Sequence, residues 1–220
     1  MVWYWETENG IKEAAELREA FPTLNFRLDH EEHSASVEGI LPISGNLGYS
    51  VHLELPINYP TGIPILRIDP KEISWISDRH INEKNGEACL CVRSEYRVHW
   101  PPGSSIAIFI ERLVRPYFAA QLYYDAHRSW PVNAARSHGR DGILEAYKEL
   151  SLPLGDTSLG TIEKLMRLLA RRDNPKGHEP CPCGSSLRLR NCHSEVLKQL
   201  RKSISSEHAR VDLETVFPSK

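Results

Sequence analysis

Between Asn25 and Ile68 apolar and polar residues alternate in short runs separated by turn residues, and this pattern restricts the fold more than any other feature of the chain. Phe26 and Leu28, then Ala35, Val37, Gly39 and Leu41, predict two strands around the polar turn Asp29-His30-Glu31-Glu32-His33. Tyr49, Val51, Leu53 and Leu55 predict a third strand after the turn Ser44-Gly45-Asn46. Alternation with period two puts one set of side chains on one face of a sheet, so each run needs a partner strand and a covering layer. Pro60 pushes Tyr59 out of the helical region, which makes Asn58–Gly62 a loop and leaves Ile63–Ile68 as a fourth strand. Ahead of these runs Ile11, Ala14, Ala15, Leu17, Ala20 and Phe21 recur at helical spacing until Pro22. A helix followed by an antiparallel meander is an α+β arrangement.

The rest of the chain reads as helices and linkers. Pro102-Gly103-Ser104-Ser105 predicts the start of a helix running to about Asp125, with a stripe that includes Ile106, Phe109, Ile110, Leu113 and Phe118. Pro116 is expected to kink or split it. Residues 126–142 read as irregular, and a short helix is expected at Ile143–Leu150. After a linker at Leu152–Asp156, Thr157 or Ser158 is placed to cap a helix reaching about Arg172. A Cys-rich knot and a helix over Ser194–His208 close the chain. The expected organisation is a domain over 1–150, a helical connector over 151–179 and a knot with its terminal helix over 180–220.

The totals exclude some classes. A net charge of −2 over 220 residues gives no general attraction to nucleic acid, so a nucleic-acid partner is not expected. No basic stretch leads into an apolar run at the N-terminus, and no run approaches the roughly 18 apolar residues of a membrane span. Five cysteines, an odd count, fall in two clusters near Cys89 and Cys181. That distribution suits thiol and metal chemistry in a reducing compartment, and a cytoplasmic location is expected.

The stretch from Arg79 to Pro102 carries the first chemical signal. His80-Ile81-Asn82 precedes a turn at Gly86, then Cys89 in an apolar run, then Trp100-Pro101. A thiol with a nearby side-chain amide is what acyl transfer through a thioester needs: a nucleophile and a donor for the carbonyl oxygen. The alternatives are a buried core thiol for Cys89 and a turn residue for Asn82. On a strand, Cys91 would share a face with Cys89, which makes it a possible second thiol, a disulfide partner or a packing residue. His80 reads as a structural group in its loop rather than a general base, and Tyr59 as an anchor. His99 and His138 are open.

These motifs, in this order, resemble the ubiquitin-conjugating-enzyme fold over roughly residues 10–125. Leu55-Pro56-Ile57-Asn58-Tyr59-Pro60 before Pro64-Ile65-Leu66-Arg67-Ile68 is similar to that family's Tyr-Pro…Pro stretch. His80-Ile81-Asn82 is similar to its His-Pro-Asn triplet, Gly86–Leu90 to its active-site segment, and Trp100-Pro101 to the opening of its next helix. The chain departs from the pattern in Ile81, in a shorter Asn82-to-Cys89 spacing and in a longer Cys89-to-Trp100 spacing. Tyr117-Phe118, Tyr123-Tyr124-Asp125, Trp130-Pro131 and Ser137-His138-Gly139 resemble instead the bacterial relatives of the CBASS antiphage type. The resemblance implies catalytic roles for Cys89, Asn82 and His80, and a thioester with the C-terminus of a partner protein. That partner would be a cyclic-oligonucleotide synthase of the cGAS/DncV-like nucleotidyltransferase type. The chain has no Gly-x-Gly-x-x-Gly nucleotide loop, so activation is expected from a separate activating enzyme or is bypassed.

The second signal is Pro180-Cys181-Pro182-Cys183-Gly184, with Asn191-Cys192-His193 closing it. Cys181, Cys183, Cys192 and His193 offer three thiolates and one imidazole, a closed tetrahedral set for a structural zinc ion. This segment resembles the SEC-C zinc motif. Arg188, Arg190, Lys198, Arg201 and Lys202 around it are expected to form a solvated basic face. Two rival readings remain at this level: a non-catalytic partner-binding module and a zinc-dependent adaptor.

Overall fold

The computed structural model describes residues 3–131, 137 and 139–218. In chain order its elements are α1 (Glu8–Ala20), β1 (Leu24–Asp29), β2 (Ser34–Ser44), β3 (Leu47–Leu55) and β4 (Ile65–Arg67). They continue with α2 (Tyr96–His99), α3 (Ile106–Phe109), α4 (Arg115–His127), α5 (Gly139–Ser151), α6 (Leu159–Leu169), α7 (Ser194–Ser203) and α8 (Ser206–Val216). The chain divides into two compact units, Met1–Leu90 with Pro102–Ala134 and Cys91–Pro101 with Ala135–Lys220. The second takes in α5, the segment expected as a connector and the Cys-rich end, together with Cys91–Pro101.

The first unit is α+β. Its four strands form one antiparallel sheet in the order β1-β2-β3-β4, as the alternation predicts. Val37, Leu41, Val51 and Leu53 are buried on one face. Glu38, His52 and Glu54 occupy the opposite, more exposed positions, which is the period-two division read from the sequence. Thr7 caps α1 through a bond from the Gly10 N–H (3.2 Å), and Leu17 turns fully inward. Tyr49 of β3 stacks on Phe118 of α4, ring centroids 4.7 Å apart.

The helix expected at 104–125 is continuous but not uniform. A π turn over Ile110–Val114 joins α3 to α4, and Pro116 falls in the first turn of α4. Proline has no N–H to donate and its ring crowds the carbonyl four residues back. Widening the preceding turn absorbs that misfit, so of the kink or split expected at Pro116 the split does not occur.

A buried carboxylate ties the helices to the loop before β4. Glu13 accepts hydrogen bonds from the Tyr4 hydroxyl (2.5 Å), from the Tyr59 hydroxyl and from the Ile106 N–H that opens α3. Tyr59, beside a cis Tyr59–Pro60 bond, stacks on Trp5 (4.8 Å), so it is the anchor the sequence suggested.

In the second unit Tyr147, Leu165, Met166, Leu169, Leu197 and Ala209 form a core with Cys181 and Leu189 from the Cys-rich segment. The Tyr147 hydroxyl donates to Asp212 Oδ2 (3.1 Å), and burial pushes both groups above their ordinary pKa. Ser94 and Glu95 are buried here as well, beside Tyr147. The expected terminal helix is two helices: Ile204 turns into the core, and Ser205 caps α8 by accepting from the His208 N–H (3.1 Å). Arg201 is not part of a solvated basic face. It donates to the carbonyls of Leu168 (2.8 Å) and Arg171 (2.9 Å), which satisfies the C-terminal end of α6. Among the described residues no helix is long and apolar enough to cross a membrane.

Replacing Glu13 with Leu leaves two phenols and a helix N–H without their acceptor. The expected loss is about 3 kcal/mol in the first unit, with a smaller loss for Glu13→Gln. Amide exchange of peptides from α1 and α3 measures it, and wild-type protection in Glu13→Leu would count against this role.

Candidate metal centre and candidate thiol loop

The four donors predicted at the C-terminal end come together. The Sγ atoms of Cys181, Cys183 and Cys192 and a ring nitrogen of His193 all lie within 4.8 Å of one another. Cys183 Sγ is 3.5 Å from Cys181 Sγ and 3.6 Å from Cys192 Sγ. His193 Nδ1 is 3.3 Å from Cys181 Sγ and 3.2 Å from Cys192 Sγ. An ion bound about 2.3 Å from each sulfur would set tetrahedral S···S edges of about 3.8 Å, so the cluster is nearly at bonding size and could hold a metal ion.

The local chain explains the placement. Pro180 pairs with Arg188, and the Cys181 N–H donates to the Leu187 carbonyl (3.0 Å), which closes a tight loop over the first two cysteines. Gly184 sits at φ +77 within it, a left-handed position that suits glycine. Cys192 follows a short 3-10 turn, and His193 is the N-cap of α7. Burial pushes the Cys181 thiol up to about 11. Burial also acts to raise Cys183, but hydrogen bonds from Ser185 and the neighbouring thiols outweigh it and bring that group down to about 6. Ser185 Oγ lies 3.2 Å from Cys183 Sγ and 3.4 Å from Cys192 Sγ, a contact that the ligand spacing alone did not indicate.

The thiol loop lies in the first unit. Ile81 and Ala88 form an antiparallel bridge, both buried. The Cys89 N–H donates to the His80 carbonyl (2.8 Å), and the Asn82 N–H to the Glu87 carbonyl (2.8 Å). This short ribbon places His80 across from Cys89, with Asn82 in the next pair but one. Cys89 and Asn82 are exposed, and His80 is half-buried. The three predicted residues are therefore brought together. Gly86 makes the turn possible: its φ is +70, and a β-carbon there would stand 2.4 Å from the Trp75 ring.

Asn82 serves the turn, because its Oδ1 accepts from the Lys84 N–H (3.0 Å). Cys89 and Cys91 do not lie on a strand, so the alternation that would have put them on one face does not apply. Cys91 is half-buried and begins the Cys91–Pro101 segment of the second unit. His99 belongs to that segment too, and His138 lies outside the described residues.

Arg79, Gln121 and Tyr49, for which the sequence indicated no role in the loop, hold it together with Asp125, Tyr117 and Trp130. Arg79 is buried, and its Nε donates to Gln121 Oε1 (2.6 Å) and its Nη1 to Asp125 Oδ1 (2.7 Å). Tyr49 donates to the other oxygen of Asp125 (3.3 Å), and burial, then the charge of Asp125, push its hydroxyl up to about 12. Burial is also the main cause of the raised pKa of Tyr117, and the nearby Cys89 adds to it. Trp130 Nε1 donates to the Asp78 carbonyl (3.0 Å) and its ring meets His80 edge to face at 5.1 Å.

Compared with protein-family models, curated proteins and solved structures, the chain matches none of them. The fold and the donors define a mixed α+β protein with a four-stranded antiparallel sheet and a Cys3His cluster able to hold a metal ion.

If the cluster holds an ion, the purified chain should carry about one per molecule by elemental analysis. Chelation or Cys183→Ser should then open Cys181 to alkylation and raise amide exchange in α6 and α7, which share its core. Unchanged thiol reactivity and exchange after chelation would show that the core alone maintains this region.

Proposed function

We propose that the chain is a protein transferase of the ubiquitin-conjugating-enzyme type, with Cys89 as its nucleophile. One observation carries the reading: an exposed thiol on a backbone-paired ribbon that also presents Asn82 and His80. The order of helix, four-stranded meander and long helix supports it, and so do the matching motifs along 10–125. The Cys89 thiolate attacks the activated carbonyl at a partner protein's C-terminus, a C–S bond forms, and the activating group leaves. An amine then attacks the thioester carbonyl, the amide forms, the thiolate departs, and the amine's proton passes to solvent. Asn82 spends its carbonyl on the turn, which leaves its Nδ2 amide to serve as donor to the oxyanion. His80 supplies the carbonyl that fixes the Cys89 backbone. The acyl donor is proposed to be a cyclic-oligonucleotide synthase of the cGAS/DncV-like type, activated by a separate enzyme, in cytoplasmic antiphage defence. The Cys181, Cys183, Cys192 and His193 set is proposed to hold structural zinc, since a closed four-donor site leaves no position for substrate.

The turn bond of Asn82 also favours a second reading, a partner-binding module in which the ribbon is only a scaffold. Intact-mass analysis without reductant, on protein recovered from its native host, separates the two. The transferase predicts a thiol-labile adduct on wild type that becomes thiol-resistant in Cys89→Ser, where an ester replaces the thioester. The same pattern in Cys91→Ser would move the nucleophile to Cys91, and no adduct on any sample would favour the binding module.

A further inference from the structure

We propose that Arg79 is a positioning residue for the Cys89 thiol, acting through His80 and not touching the sulfur. The inference deepens the transferase reading and rests on it for the identity of the nucleophile. Arg79 is bound to α4 at both ends. Gln121 accepts from its Nε (2.6 Å) and donates through Nε2 to its carbonyl (2.7 Å), so the two residues close a reciprocal pair. Tyr117 donates to the same carbonyl (3.3 Å), and Asp125 neutralises the guanidinium through Nη1 (2.7 Å). The Tyr124 ring lies 4.8 Å below the guanidinium carbon, and its hydroxyl donates to Asp78, so residues 78 and 79 are both held by α4.

The next residue is where this restraint acts. His80 lies at φ +53, a left-handed conformation that residues with a β-carbon rarely adopt. Such a conformation persists only where its surroundings over-determine it. Here Arg79 fixes the preceding peptide, the His80 N–H bonds to Ser77 (2.9 Å) and Trp130 packs on the ring. From that conformation the His80 carbonyl receives the Cys89 N–H (2.8 Å). The order of support is thus α4, Arg79, His80, Cys89. Lysine could not replace Arg79, because one ammonium cannot meet Gln121 and Asp125 from two fixed nitrogens.

The test compares amide exchange at Cys89 by nitrogen-15 NMR in wild type, Arg79→Lys, Gln121→Met and the double variant Arg79→Lys with His80→Gly. The two single variants should exchange the Cys89 amide about tenfold faster, as expected for the loss of one or two hydrogen bonds. Glycine at 80 adopts the left-handed turn without restraint, so the double variant should recover most of the wild-type protection. A merely structural Arg79 would give a loss that glycine at 80 does not repair. That failure of rescue, or wild-type protection in Gln121→Met, would overturn the proposal. Should Arg79→Lys not fold, Gln121→Met decides alone. The exchange measurement needs no modifier, so its failure is distinct from the absence of a thioester adduct on wild type. Where that adduct forms, Gln121→Met should slow its formation.

Discussion

A buried charge must be met by partners, and in the first unit Glu13 and Arg79 set the geometry of much that lies outside the sheet. Leaving either group unpaired in a low-dielectric interior would cost several kcal/mol, far more than a loop gains by relaxing. Each therefore recruits donors or acceptors from segments distant in sequence. Glu13 gathers the Tyr4 and Tyr59 hydroxyls and the first N–H of α3. Arg79 gathers Gln121 and Asp125 from one face of α4. Gln121 and Asp125 stand four residues apart, so a single helix face supplies both the neutral and the charged partner. A hydrophobic contact could slide by an ångström at little expense. A forked guanidinium between two fixed acceptors cannot, and that directional demand carries over to the backbone beside Cys89.

The second unit solves a different problem. Three thiols and an imidazole close together are poor hydrogen-bond partners for one another, and a metal ion in place of their protons would satisfy all four. The segment that presents them is not separate from the helices. Cys181 and Leu189 sit in the core with Leu165 and Leu197, and the Thr161 hydroxyl at the start of α6 donates to the Pro182 carbonyl (3.2 Å). An ion held there and the apolar core would restrain the same few residues.

What the sequence revealed was local in origin. Alternation at Val37, Leu41, Val51 and Leu53 reports burial of one sheet face directly, because successive side chains of a regular strand point to opposite faces. The Cys3His set was visible because its donors lie within a few residues of each other or of a turn-forming Gly184. The π turn was not, since Pro116 signals a misfit but not whether a helix answers it by breaking or by widening. The break at Ile204 was hidden because an Ile reads as one more apolar residue of a helical stripe; only the capping bond of Ser205 gives it away. Arg79 was missed for a similar reason. A single Arg beside Asp78 and His80 looks solvated, and its partners come 42 and 46 residues later. The segment 91–101 likewise reads as a continuation of the thiol loop, although it belongs to the second unit and Ser94 is buried there beside Tyr147 and Asp212.

The five cysteines divide along the same physical lines. Metal ligation and nucleophilic attack both need a thiolate, but they make opposite demands on access. A four-donor site holding an ion would surround each sulfur with other ligands, and Cys181 is further shut in by the core. Cys89 is exposed, and what its surroundings fix is its backbone, through the N–H that bonds to His80. The ribbon that carries this sulfur is held by α4 through Arg79. Orientation of that kind is the contribution a scaffold can make to thioester chemistry, in which the attacking amine needs alignment and desolvation more than it needs a base. The absence of an assigned base in the loop is therefore compatible with acyl transfer.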